Sequence, residues 1–181
     1  MAGVALLAVD FVRASAHGLP GRLGLTGAPG RWRPGRDPAS DRLLEEDLAR
    51  LREHFGAGTL VTLLEDREMH DLGLPRLCEA VRRAGLESLW LPVPDFSEPP
   101  SLEAAAALAG KILERMAAGG TVVVHCRGGL GRSGTIAACC LVAAGRTARD
   151  AVRLVRAARP GAVETPGQVR FVERLAEALP G

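Results

Sequence analysis

The chain has 181 residues, 47% of them apolar and 24% charged, with a formal net charge of +2 at pH 7. That length and apolar content fit one folded domain with a real core and exclude a disordered or fibrous chain. The small net charge, with signs interleaved and no basic tract, speaks against nucleic acid as a partner, and no apolar stretch reaches the ~20 residues of a membrane-spanning helix.

Val4 to Val12 reads as a strand. The apolar run Ala2 to Val9 lacks a basic leader region and Asp10 follows at once, so it is not read as a signal peptide and a cytoplasmic location is expected. The run from Ser15 to Pro38 is rich in Gly, Pro and Arg. It holds one strand-like piece, Leu23 to Thr26, and a turn at Ala28-Pro29-Gly30. Residues 1–22 are therefore expected at the periphery of a single domain spanning 1–181. Ser40 is a plausible cap for a helix whose Leu44, Leu48 and Leu51 share one face, with acids at Glu45, Glu46 and Asp47 and a stop at Gly56 and Gly58. Thr59 to Leu64 follows as a core strand.

Glu65-Asp66-Arg67-Glu68 then reads either as a solvated loop or, because sites in parallel sheets lie beyond the carboxyl ends of strands, as a cleft lining through Glu65 or Arg67. Leu72 to Ala84 is expected to be a helix interrupted or restarted at Pro75, and Leu86 to Leu91 a third strand. The strand leads into Pro92-Val93-Pro94-Asp95-Phe96-Ser97-Glu98-Pro99-Pro100, a stiff loop flanked by prolines. Ser101 caps a helix through Met116. The last two helices open at Thr147, with a basic amphipathic run, and at Thr165, where Thr-x-x-Gln with Pro166 is a capping box. The arginines of the Thr147 helix read as a solvated face or a docking face for an acidic partner.

The most informative stretch is TVVVHCRGGLGRSG, Thr121 to Gly134. A buried strand, Val122 to Val124, enters a glycine-rich turn and then a helix of small residues from Ser133 to Ala144. Loop N–H groups and a helix N-terminus converge there on an anion site formed by Arg127, Gly128, Gly129, Leu130 and Gly131. Cys126 stands at the root of the turn, where the same dipoles favour a thiolate. Arg132 offers its planar fork to a tetrahedral oxyanion, and Ser133 a hydroxyl to the sulfur. A nucleophile in a phosphate cradle points to phosphoryl transfer to cysteine. The departing alkoxide then needs a proton, for which Asp95 is the candidate and Glu98 the substitute. Cys78, Cys126, Cys139 and Cys140 make neither a zinc spacing nor a disulfide framework, and His17, His54 and His70 match no motif.

His125-Cys126, five residues, then Arg132-Ser133 resembles the signature of the cysteine-dependent protein tyrosine and dual-specificity phosphatases. GGLGRSG together with LGLTGAPG looks like the kinase-associated phosphatase branch, and the likeness runs from about Leu23 to Leu179. It implies an α/β fold, a mostly parallel central sheet flanked by helices on both faces, which the alternation of strand and helix segments also suggests. It implies Asp95 on the PDFSEP loop as general acid. Gln168, a cap by its spacing, matches the glutamine that orients the hydrolytic water in that family, and His125 is a loop support. No cofactor or metal is called for, because the guanidinium and loop dipoles neutralise the phosphoryl oxygens.

The implied substrate is a phosphorylated protein, with a kinase among the partners. No segment like the KNRY run of tyrosine-only enzymes is present, so a shallow site admitting phosphoserine, phosphothreonine and phosphotyrosine is expected of a monomer acting without membrane or nucleic acid. Two other readings stand beside it. One is a phosphoprotein- or kinase-binding module with incidental turnover, against which the set Cys126, Arg132 and Asp95 counts. The other is rhodanese-type sulfur transfer, against which Ser133 and the Asp95 loop count.

Overall fold

In the computed structural model, which describes residues 6–31 and 41–179, five strands form one sheet. They are β1 (Asp10–Phe11), β2 (Arg22–Thr26), β3 (Ala57–Thr62), β4 (Glu87–Trp90) and β5 (Thr121–His125), in the order β1-β2-β5-β3-β4. β1 pairs antiparallel with β2; every other pairing is parallel. Seven α-helices connect and cover them: α1 (Asp41–Glu53), α2 (Asp66–Asp71), α3 (Leu77–Arg83), α4 (Leu102–Ala117), α5 (Gly131–Ala143), α6 (Ala148–Ala158) and α7 (Pro166–Ala178). This is the expected α/β architecture.

The central strands are apolar at consecutive positions because both faces of a parallel sheet are covered. Successive side chains alternate between two cores. Val122 and Val124 of β5, with Val61 of β3, face the cluster built with α4, α5, α6 and α7. Val123 and Leu60 face the other, built with α1 and α3. Gly58 does not end α1, as its position suggested. It is an extra residue in β3 opposite Thr121 and Val122, a β-bulge at the entrance to the strand.

Four expectations change. The first strand shrinks to Asp10–Phe11, because the main chain before it is bonded by side chains instead of a ladder. Thr26 Oγ1 donates to the Ala8 carbonyl at 2.7 Å and Arg50 Nε to the Leu7 carbonyl at 2.8 Å. Leu7, Val12 and Ala16 are buried, so the described part of residues 1–22 joins both cores. Glu65-Asp66-Arg67-Glu68 is not a loop but the start of α2, with Glu65 as N-cap in a reciprocal capping box with Glu68. The third helix starts only at Leu77, past Pro75. Ser40, expected to cap α1, lies outside the described residues.

Candidate active site

β3, β4 and β5 run parallel, so the segments leaving their carboxyl ends rise over one edge of the sheet. From β3 comes α2; from β4, the loop carrying Asp95; from β5, the glycine-rich turn. Arg132 sits in the first turn of α5, only 2% exposed, and ties all three together. Its Nη1 donates to Glu68 Oε2 at 2.5 Å and to the Val93 carbonyl at 2.8 Å. Its Nη2 donates to Glu68 Oε1 at 3.0 Å and pairs with Asp95 Oδ1 at 2.8 Å. Its Nε is buried with no acceptor among the described residues.

Cys126 is buried at the end of β5. Its sulfur accepts the Gly129 N–H at 3.2 Å and lies 3.6 Å from Ser133 Oγ. Gly129 adopts φ +75°, and a Cβ there would stand 2.3 Å from the Thr26 carbonyl oxygen, so only glycine fits. The Leu130 carbonyl accepts the N–H groups of Gly134 and Val163, anchoring the far side of the turn. Arg127 is exposed at the rim.

His125 is fully buried between Thr62 Oγ1, 2.9 Å from Nε2, and the Cys126 carbonyl, 3.2 Å from Nδ1. Burial pushes its pKa down to about 4, against the bond to Cys126, and the charge of Arg132 adds to the depression. The ring is therefore neutral and ties β5 to β3. For Glu68, burial raises the pKa, but the bonds from Arg132 and from the Glu65 N–H and the charge of Arg132 outweigh it, leaving the carboxylate below its ordinary range.

Gln168 is buried in the predicted capping box. Its Oε1 accepts the Thr165 and Glu164 N–H groups at 3.2 and 2.9 Å, while Nε2 donates to the Ser97 carbonyl at 3.1 Å. The side chain thus joins the α7 cap to the Asp95 loop. Glu98, the substitute acid, instead pairs with Arg174 at 2.7 Å. Asp95 itself is partly exposed and also accepts the Phe96 N–H at 3.1 Å.

Arg132 thus contacts Asp95, and Gln168 reaches the Asp95 loop through the Ser97 carbonyl. Glu68 was missed, although its spacing from Glu65 is that of a capping box. Arg159, which donates to the Gly128 carbonyl at 3.0 Å and pairs with Asp10 at 2.5 Å, was missed as part of a solvated helix face.

A family model described as Swiss Army Knife protein, DSP-PTPase phosphatase domain (PTP-SAK) matches residues 38–172. Protein tyrosine phosphatase domain-containing protein 1 of Danio rerio is 44% identical over 61 residues, 33% of this chain. The match spans only 9% of that relative's length. Protein tyrosine phosphatase type IVA 3 of Homo sapiens is 29% identical over 133 residues, 64% of this chain and 71% of the human one. Among solved structures, Tk-PTP in its active form is similar at TM-score 0.72 and 33% identity, over 94% of this chain and 97% of that one. Kinase associated phosphatase with its catalytic-site cysteine replaced by serine gives TM-score 0.85 at 20% identity over 98% of both chains, a likeness of fold.

Proposed function

This chain belongs to the PTP-SAK family of DSP-PTPase phosphatase domains, and from that premise we propose that it hydrolyses phosphoserine, phosphothreonine and phosphotyrosine in proteins through a phosphocysteine intermediate. The observation that carries the reading is the convergence on one sulfur. A loop N–H and a hydroxyl face Cys126 Sγ at 3.2 and 3.6 Å, beside a buried arginine paired with a carboxylate at 2.8 Å.

The chemistry has two steps. The Cys126 thiolate attacks phosphorus, forming the S–P bond as the P–O bond to the leaving group breaks, and the Asp95 carboxyl gives its proton to that oxygen. The turn N–H groups and Arg132 stabilise the equatorial oxygens. The unpartnered Nε of Arg132 is a donor left over for them. Phosphoryl oxygens in the cradle also compete with Asp95 for the guanidinium, freeing the carboxyl for its proton transfer. Water then attacks phosphorus, Asp95 takes its proton, and the S–P bond breaks with Ser133 donating to the departing sulfur. Arg127, Gly128, Gly129, Leu130 and Gly131 line the cradle, and His125 fixes its root. Gln168, whose amide reaches the Asp95 loop, orients the water.

A phosphorylated protein is the proposed partner, a kinase among the candidates by likeness to the relative named kinase associated phosphatase. The protein is proposed to act as a cytoplasmic monomer. No helix among the described residues is long and apolar enough to cross a membrane.

Hydrolysis of para-nitrophenyl phosphate in EDTA by wild type, Cys126→Ser and Asp95→Asn tests the mechanism. Turnover is expected to vanish in the serine variant and to fall about 10²–10⁴-fold in the asparagine variant, the usual share of a general acid. Turnover that survives Cys126→Ser overturns the cysteine mechanism. Phosphopeptide binding without turnover in wild type would favour a binding module.

A further inference from the structure

One peptide unit of the phosphate turn is held at both ends. Its carbonyl, on Gly128, accepts from Arg159 Nη2 at 3.0 Å; its N–H, on Gly129, donates to the Cys126 sulfur at 3.2 Å. In a trans peptide the two groups point in opposite directions, so whatever holds the carbonyl outward holds the N–H inward. Elsewhere the turn is anchored at the Leu130 and Arg127 carbonyls, but at Gly128 no side chain helps to hold this peptide. Gly128 has no side chain, and a Cβ built there would meet nothing within 4 Å.

Arg159 is well placed for this work. It is the C-cap residue of α6, mostly buried, and its Nη1 pairs with Asp10 Oδ2 of β1 at 2.5 Å. One guanidinium thus joins the turn to the edge strand, whose Asp10 precedes Arg159 by 149 positions in sequence. A guanidinium on a carbonyl oxygen also polarises the peptide, which makes the N–H at its other end a stronger donor.

We propose that Arg159, aligned by Asp10, is a positioning residue for the nucleophile: it locks the Gly128–Gly129 peptide with its N–H on the Cys126 sulfur and thereby stabilises the thiolate without touching substrate. The inference rests on Cys126 being the nucleophile. The other groups around that sulfur are Arg132 of α5, with Glu68 of α2 and Asp95 paired to it, the Ser133 hydroxyl and the neutral His125 ring at the end of β5. The Ser133 hydroxyl faces the sulfur and Arg132 bears on it by charge alone, whereas Arg159 acts through a peptide.

The test is the pH dependence of Cys126 alkylation by iodoacetamide, read on the Cys126 peptide by mass spectrometry. It is run in wild type, Arg159→Met, Arg159→Lys and Asp10→Asn, with turnover measured alongside and Cys126→Ser as control. At pH 6 alkylation is expected to slow about fivefold in Arg159→Met, the worth of one net hydrogen bond, with the profile displaced to higher pH. Arg159→Lys recovers part of the loss, Asp10→Asn shows a smaller displacement the same way, and kcat falls while KM holds. A residue that merely tied α6 to β1 would leave the profile where it is. A wild-type profile in folded Arg159→Met overturns the proposal; if that variant does not fold, a wild-type profile in Asp10→Asn does so. Turnover lost in Cys126→Ser beside unaltered profiles overturns this inference alone, whereas turnover retained there overturns the cysteine mechanism and this inference with it.

Discussion

Arg132 has a partner chosen for charge as well as for shape. Its two terminal nitrogens meet both oxygens of Glu68, a fork-to-fork arrangement that fixes the guanidinium plane. Burying the arginine is costly, and the carboxylate offsets that cost only while it stays ionised. Glu68→Gln keeps the outline and removes the charge. It leaves Asp95 as the one carboxylate in contact with Arg132 among the described residues, which strengthens the contact that substrate is proposed to displace. The expected result is turnover lower by roughly tenfold and stability lower by about 2 kcal/mol. That sits below the range for a fully buried pair because Glu68 keeps some solvent contact. Urea denaturation and para-nitrophenyl phosphate kinetics check the two parts; an unchanged denaturation midpoint would show that water replaces the lost charge.

The proposed phosphate turn is an element whose neighbouring glycines differ in their surroundings. At Gly129 a methyl group meets the Thr26 main chain in a left-handed conformation, whereas at Gly128 it meets open space. Gly129→Ala is therefore expected to lower turnover at least about a hundredfold, since a displaced N–H costs both the thiolate contact and the anion cradle. Gly128→Ala is expected to stay within about threefold of wild type. Equal losses in the two would show that flexibility, and not the Gly129 conformation, is what the turn requires. The parts of this region written in local sequence were legible: strand β5, the turn, and the Thr165–Gln168 box. The acidic α2 was not, because four consecutive charges look solvated until one of them finds a buried arginine 64 positions away. The solvated face read for α6 holds for Arg149, Arg153 and Arg156, which are exposed, but not for Arg159 at its C-cap. Arg153 pairs with Asp150 and Arg156, itself exposed, donates to the Ala162 and Val163 carbonyls, whereas the mostly buried Arg159 reaches Gly128. Periodicity reports which face of a helix is polar; it does not report that a polar face meets a loop's carbonyls.

At the scale of the molecule, the buried His125 sets an acid limit. Its pKa is about 4 in the folded protein and near 6.5 when unfolded, so between those values the unfolded chain binds the extra proton. Stability therefore falls as the pH drops from 6.5 to 4, by about 3 kcal/mol in all. Glu68 adds a further loss below its ordinary value, as acid protonates the carboxylate that Arg132 holds ionised. Thermal melting followed from pH 7 to pH 4 is expected to show the decline, and His125→Gln to flatten it above pH 4. An equally steep decline in that variant would assign the effect elsewhere. The strand order has a consequence for how the protein is made. β5 is the last strand to be synthesised, yet it lies between β2 and β3, and its first residue meets one that left the ribosome 99 positions earlier. Until it emerges, both earlier strands carry open hydrogen-bonding edges of the kind chaperones shield. The strand that closes the sheet is also the one that leads into Cys126, so a nascent chain gains its centre and its proposed nucleophile together.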